Sequence, residues 1–413
     1  MKRARSLAWH NLGVEQAFDF QSFHLADLPG RLAAGNGALA CADATPLGPI
    51  SFVTGSGAFT YMPGNGSVTI AHGILDEARV VVELDDESFA DLAADLDTPT
   101  AMLYQDRAKV SRGNPLRFIR WEPALRAIFH GRPIYDAAAI DLRDRDGVPL
   151  DPTAAFDMPS VVADPGAVAH QLSTVGFIVA RGVFDADEVA LLRAEAEALR
   201  AEAQPGDGTS WWGRNADGDA LVTRVLNGVS RPALRALYDN PNVQAIVAAT
   251  GLEVRSAYRN DVDGVTALWK IPNMVEGLAD LPWHRDCGMG GHAANCPTLV
   301  MTICLTDGSP AAGELRALPG SHTTSHPFID GNAPGAPTGI AIDVHAGDIS
   351  LHDGDVMHVS LPPTSADGPH RVSILLSFAR ADAVHHRGQR HYNDALLARD
   401  DGQIEHIGHK LRA

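Results

Sequence analysis

The stretch "LPWHRDCGMGG", residues 281 to 291, sets His284 two positions before Asp286. Residues two apart on an extended strand point to the same side, so the spacing predicts an imidazole and a carboxylate aimed at one point. A second imidazole completes a two-histidine, one-carboxylate face, which suits Fe(II) and leaves three positions open for a bidentate co-substrate and dioxygen. The candidates downstream are His322, His326, His345, His352, His358 and His370. In "GDISLHDGDVMHVSL" the Asp353-Gly354-Asp355 run reads as a turn between two strands. His358 then sits inside the second strand and is the expected third ligand, with His352 the alternative. Farther on, "HRVSILLSFAR" sets Val372, Ile374, Leu376 and Phe378 on one face and Arg371, Ser373, Leu375 and Ser377 on the other. A buried guanidinium two residues from a hydroxyl is a receptor for a carboxylate, through a charge-assisted contact and a hydroxyl hydrogen bond.

These residues need a scaffold of short strands, and the chain from Leu252 onward offers one. "ALWKIP", "TLVMTICL", "GELRALP", "DISLHD", "DVMHVSL" and "RVSILLSFA" are apolar runs broken by Gly, Pro and Asp, a pattern that predicts a sandwich or jelly roll. Before them comes a strand, "GFIVARGVF", and a helix in "DADEVALLRAEAEALRAEA". Asp185 caps that helix with Glu188 completing a capping box, and Val189, Leu192, Ala196 and Leu199 share one face. The paired Trp211 and Trp212 in "GTSWWGRNADGD" are candidates for a mobile lid over substrate or for packing between units, and Trp283 is a third candidate substrate contact beside His284. His385, His386 and His391, among arginines in "HHRGQRHY", read as a solvated or interface segment rather than a second metal site.

At 413 residues, the chain is long enough for two domains. Residues 1 to 135 read as a mixed unit of strands with helices packed on them, including a helix with Phe89, Leu92 and Leu96 at helical spacing. Residues 136 to 158, polar and dotted with proline, read as a linker, and residues 159 to 413 as the second unit. With 45% hydrophobic and 20% charged residues the composition is that of a globular chain, and no apolar run reaches the roughly 18 residues of a membrane span. The charge, 33 minus 51 or −18, repels phosphate backbones and argues against nucleic acid as a partner. Cys41, Cys287, Cys296 and Cys304 show no zinc or disulfide spacing. The opening "MKRARSLAWHNLGVEQ" lacks the apolar stretch of a secretion signal, so a cytoplasmic protein is expected.

Taken together, residues 159 to 380 resemble the phytanoyl-CoA dioxygenase family of Fe(II) and 2-oxoglutarate oxygenases. "LSTVGFIVARGVFDADEVALLR", "LWKIPN", "WHRD", "GELRALPGSH" and "GDVMHVSLPPTSADGPHRVSILLSF" carry the resemblance. It implies a double-stranded β-helix, a cupin-like jelly roll with flanking helices, in which His284, Asp286 and His358 bind iron. Arg371 would hold the far carboxylate of 2-oxoglutarate, with Ser373, Lys270 and Thr302 lining the same pocket. Arg285 stands where glutamine is commoner in that family, and His370 directly precedes the arginine. The implied reaction consumes O2 and 2-oxoglutarate, releases succinate and CO2, and hydroxylates or otherwise oxidises a C-H bond. Asp286 disfavours halogenation, since halogenating relatives lack the carboxylate. Residues 10 to 135 resemble the sterol carrier protein 2-like domain, an α+β fold, through the "DDESFADL" helix start and "LYQDRAKVSRGNPLRFIRWEPAL". That resemblance implies an apolar cavity lined by Phe89, Leu92, Met102, Leu116 and Phe118, and hence an apolar or lipid-like small-molecule substrate, with plain core packing the other reading. Rival expectations are a non-catalytic carrier and a 2-oxoglutarate-independent cupin-type metal enzyme, the latter having no use for Arg371 and Ser373.

Overall fold

Two separate hydrophobic cores organise the chain, and the computed structural model describes residues 18–256, 264–278, 280–288, 298–327, 329–381 and 400–403. The first core lies on a five-stranded sheet of β1 (Ile50–Thr54), β2 (Gly57–Gly64), β3 (Ser67–His72), β4 (Val80–Leu84) and β5 (Ala108–Arg112), in the order β3-β2-β1-β4-β5. The β1–β4 pair is parallel and the other pairs are antiparallel. Helix α1 (Asp86–Ala93) begins where the Asp85 side chain accepts the backbone N–H of Ser88, an N-cap of the usual kind. Helix α2 (Glu122–His130) stops at Gly131, whose φ of 65° is the left-handed cap that glycine adopts without penalty. An irregular helical segment between Phe20 and Ala44, not expected from the pattern, supplies Phe20, Phe23 and Leu28 to the same core.

Aromatic rings fill this unit. Phe89 packs 4.8 Å from Phe20 and 5.4 Å from Phe52, and Phe118 lies 5.9 Å from Phe52. Phe89, Leu92, Met102 and Phe118, expected to line a lipid cavity, are buried members of the packed core, and Leu116 is half-buried. The expected linker is laid against the second unit. Tyr135 donates its backbone N–H to Ser325 O at 2.8 Å, and Leu142 and Leu150 pack on a cluster containing Val175, Phe177 and Ile342.

The second unit holds helices α3 (Pro165–Val175), α4 (Ala186–Glu202) and α5 (Pro241–Ala249) against a ten-stranded sheet. The expected capping box is present at the start of α4, where Asp185 and Glu188 satisfy each other's backbone N–H groups. Strands β6 (Phe177–Arg181), β7 (Ser210–Asn215), β8 (Ala220–Val225) and β9 (Val265–Trp269) belong to the large sheet. A smaller sheet of four includes β10 (Leu281–His284). Next along the chain come β11 (Leu299–Cys304) of the large sheet, β12 (Leu315–Ala317) of the small one, β13 (Ile349–Asp353) of the large, β14 (His358–Ser360) of the small and β15 (Val372–Arg380) of the large. The large sheet runs β7-β8-β9-β15-β11-β13-β6, and the small one runs β10-β14-β12, with short strands at the edges. From β9 onward, consecutive strands thus alternate between two facing sheets, as a jelly roll requires.

Strand alternation decides which side chains meet the small sheet. Ala267, Met301, Ile303, Ile349, Val372, Ile374, Leu376 and Phe378 belong to the core under the helices. The opposite face carries Leu268, Ser373 and Cys304 in one cross-strand row, and Leu375, Thr302 and Ser350 in the next. Among the described residues no helix is long and apolar enough to cross a membrane.

Candidate active site

The small sheet brings the three expected ligands together. β10 pairs with β14 so that His284 lies opposite His358, and the ring centroids are 4.1 Å apart. Strand geometry differs from the sequence expectation at one point. β10 ends at His284 and Asp286 opens a 3-10 turn, so the carboxylate reaches the imidazoles from a turn rather than along one extended face. It arrives nonetheless: Asp286 Oδ1 lies 3.5 Å from His284 Nε2 and 3.9 Å from His358 Nε2. One ligand atom from each of the three residues falls within 4.8 Å of the others.

Hydrogen bonds set which nitrogen each imidazole presents. His284 Nδ1 donates to Pro282 O at 2.7 Å, and His358 Nδ1 donates to Val356 O at 2.9 Å. A carbonyl only accepts, so each ring carries a proton on Nδ1 and turns Nε2 toward Asp286. His284 Nε2 is buried without a hydrogen-bond partner, as a nitrogen waiting for a cation would be. Burial, followed by the charge of His284, holds His358 well below the usual histidine range and keeps it neutral. At Asp286 burial works toward protonation, but His358, His284 and His352 outweigh it and hold the carboxyl well below its ordinary value. Two imidazoles and an ionised carboxylate form the donor set of a non-haem Fe(II) centre, and the residues present fit that ion.

His352, the alternative third ligand, takes a different place. It points from β13 in the large sheet, and its Nε2 donates to Asp286 Oδ2 at 3.0 Å. One carboxylate oxygen is thereby fixed by His352 while the other faces the two ring nitrogens. The other histidine candidates serve elsewhere: His322 Nε2 bonds Ser173 O, His326 Nδ1 bonds Pro327 O, His345 lies beside Arg181 and Asp348, and His370 Nε2 bonds Ser365 O. His385, His386 and His391 lie outside the described residues.

Arg371 precedes β15 and is 4% exposed. Its NH2 donates to Ser360 Oγ at 2.7 Å, while its Nε is buried without a partner. Ser360 stands two residues after His358 on β14, so the guanidinium is tied to the strand of the expected ligand. Burial lowers the Arg371 pKa from its ordinary value. Ser373 Oγ is also buried and unpartnered, and Thr302 lies on the same sheet face, paired across to Leu375. Two unsatisfied donors of this kind are costly in a dry interior and mark a missing acceptor. Lys270 joins them: Nζ donates to Asp280 Oδ1 at 2.5 Å and to Ser360 O at 2.9 Å. Burial brings its pKa down to about 7 against the opposing pull of Asp280, with Arg371 adding to the fall. Cys304, beside Ser373, is a thiol that burial pushes up to about 12.

The three tryptophans part company. Trp211 shares the inner face with Leu268 and Ser373, and the Arg224 guanidinium sits 4.5 Å from its ring centroid. Neighbours on a strand alternate in side, so Trp212 faces the helices, where it packs on the main core and donates Nε1 to Ser210 Oγ. The pair belongs to strand β7, not to a lid. Trp283 is buried among Leu318, Ile329, Met357 and Val359 and borders a cavity of about 640 Å³ lined also by Arg316, Ile329 and Asn332. That cavity is lined by none of the three expected ligands.

Residues 172–372 match the family described as Phytanoyl-CoA dioxygenase (PhyH). The matched segment contains His284, Asp286 and His358, a group that could hold a metal ion. Among solved structures, similarity extends to EvdMO1, at 25% identity over 53% of this chain and 50% of that one, with a TM-score of 0.42. AviO1 from Streptomyces viridochromogenes Tue57 shares 27% identity over 54% of this chain and 97% of its own, with a TM-score of 0.41. EctD from S. alaskensis with bound Fe shares 20% over 64% and 93%, with a TM-score of 0.43. The chain spans about half the length of EvdMO1. None of the curated proteins matches the chain.

Proposed function

We propose that the protein is an Fe(II)- and 2-oxoglutarate-dependent hydroxylase of a small molecule, with His284, Asp286 and His358 holding the metal. The observation that carries the reading is the convergence of two Nε2 lone pairs and one carboxylate oxygen, with His284 Nε2 left unpartnered in a buried place. Iron bound there supplies the oxidising chemistry by which 2-oxoglutarate and O2 yield succinate, CO2 and a hydroxylated substrate carbon. The chain's own work is positional. His352 holds the far oxygen of Asp286, so the near one stays turned to the imidazoles.

Arg371 and Ser373 receive the distal carboxylate of 2-oxoglutarate through the buried Nε and Oγ groups that have no partner within the chain. Lys270 and Thr302 border the same place, Lys270 by bracing Ser360, on which Arg371 leans. This use for Arg371 favours the oxygenase over a 2-oxoglutarate-independent metal enzyme. On the inner face, Leu375 is partly exposed beside the buried row of Leu268 and Ser373, which supports a substrate with an apolar or lipid-like portion at the reacting carbon. The test is succinate release from 2-oxoglutarate under air, with acyl or polycyclic compounds compared against small polar metabolites. Stimulation by the first group supports the whole reading, stimulation by the second alone removes the apolar substrate, and no conversion of 2-oxoglutarate under any condition removes the hydroxylase.

A further inference from the structure

Helix α2 of the N-terminal unit presents Glu122 and Arg126, four residues apart and so on one face. Both reach the second unit. Glu122 pairs with Arg285, the residue between His284 and Asp286. Arg126 NH2 lies 2.9 Å from Asp355 Oδ2, in the turn three residues before His358, and 2.9 Å from Asp95 of its own unit. Arg285 closes the circuit on Asp355 Oδ1 at 2.5 Å, and Arg132 adds a contact to Asp355 Oδ2 at 3.0 Å. The two loops also touch directly, Cys287 N donating to Gly354 O at 2.9 Å. Three guanidinium groups and three carboxylates thus balance at a junction where Arg285 and Arg126 are 8% and 4% exposed. Charges so buried persist only in the arrangement that pairs them, and removing one partner strands the others.

We infer that the N-terminal unit is a working part of the metal site, in which Glu122 and Arg126 are positioning residues that hold Arg285 and Asp355, and through them the two loops that carry Asp286 and flank His284 and His358. The inference rests on the reading of His284, Asp286 and His358 as metal ligands. Helix α2 gives the two loops a common anchor, rigid because its other side is packed in the aromatic core, and Arg132 just beyond the helix adds to the hold on Asp355.

The test titrates Co(II) into the full-length, metal-free protein and reads the dissociation constant and the visible d–d spectrum, which reports ligand geometry independently of turnover. Wild type, His358→Ala, Glu122→Gln, Asp355→Asn and the double variant Glu122→Gln/Asp355→Asn are compared. Asp97→Asn, which breaks the Arg107–Asp97 pair inside the N-terminal core, serves as a control for simple loss of packing. The expected result is strong binding by wild type, none by His358→Ala, and roughly tenfold weaker binding with an altered spectrum in each network variant. The double variant loses less than the product of the single losses, because both break one network, while Asp97→Asn lowers the unfolding temperature and leaves Co(II) binding unchanged. Wild-type binding that His358→Ala abolishes, with Glu122→Gln and Asp355→Asn within twofold of wild type and spectrally identical, overturns the inference alone. Equal weakening by Asp97→Asn overturns it too, by reducing the effect to stability. Absence of binding in wild type, or its survival in His358→Ala, overturns the ligand reading and the inference with it.

Discussion

Each proposed metal-binding imidazole is set by a backbone carbonyl two residues before it, Pro282 for His284 and Val356 for His358. The carboxylate between them is set by His352. Removing that third imidazole in His352→Ala is expected to weaken Fe(II) or Co(II) binding roughly 10- to 100-fold while leaving the three ligands in place, measured by competition with a chelator. Arg371→Ala is expected to raise the KM for 2-oxoglutarate by ~30-fold or more, about 2 kcal/mol at the least for losing a buried charge partner, with metal affinity little changed. At this scale much was legible. His358 and Ser373 lie in strands, as periodicity led one to expect, whereas Asp286 reaches the imidazoles from a 3-10 turn and Arg371 stands just before its strand. What escaped were partners whose own spacing carries no chemical signature. Ser360, two residues past His358, was within reach of the same period-two reasoning, whereas Asp280 and His352 acquire their roles only when two sheets face each other.

Elements were read well wherever one face is buried and poorly wherever a strand changes direction. β15 shows the alternation in full, with Val372, Ile374, Leu376 and Phe378 in the core and Ser373 and Leu375 on the other face. The sequence reading failed in β10, whose register shifts between Leu281 and His284 and which the chain leaves after His284. A bulge inserts one residue and reverses every side chain beyond it, and nothing in the residue types announces it. The N-terminal elements make a prediction of their own. His24 stacks on Phe59 at 4.1 Å and bonds Tyr61 OH at 2.8 Å, and burial brings its pKa down to about 4, partly offset by its bond to Phe20 O. The unfolded chain therefore binds a proton that the folded one refuses between pH 6.5 and 4. Stability is fully present above pH 6.5 and falls by roughly 1.4 kcal/mol per pH unit across that window. Denaturant unfolding against pH is expected to show this slope, and His24→Gln to flatten it.

For the whole molecule, two cores that look separable are joined by buried ion pairs at Glu122, Arg126, Arg285 and Asp355. One cooperative thermal transition is expected for the intact protein, and two for Asp355→Asn, which breaks the junction on both sides; calorimetry distinguishes them. This junction was illegible in the sequence, because pairs 163 and 229 residues apart leave no local pattern, and Arg285 stood out only as a departure from the resembled family. Periodicity gave reason to expect strands and helices in both halves of the chain, but nothing in it announced the packing of the span 136 to 158 on the second core. The central claim is that the three ligands and Arg371 form one site for iron and 2-oxoglutarate. Its most direct test is anaerobic: Fe(II) and 2-oxoglutarate are added to the metal-free protein and the visible charge-transfer band of chelated co-substrate is sought. A band in wild type that is lost in Asp286→Ala and weakened in Arg371→Ala is the predicted result. A folded protein that binds iron and shows no band would contradict the account.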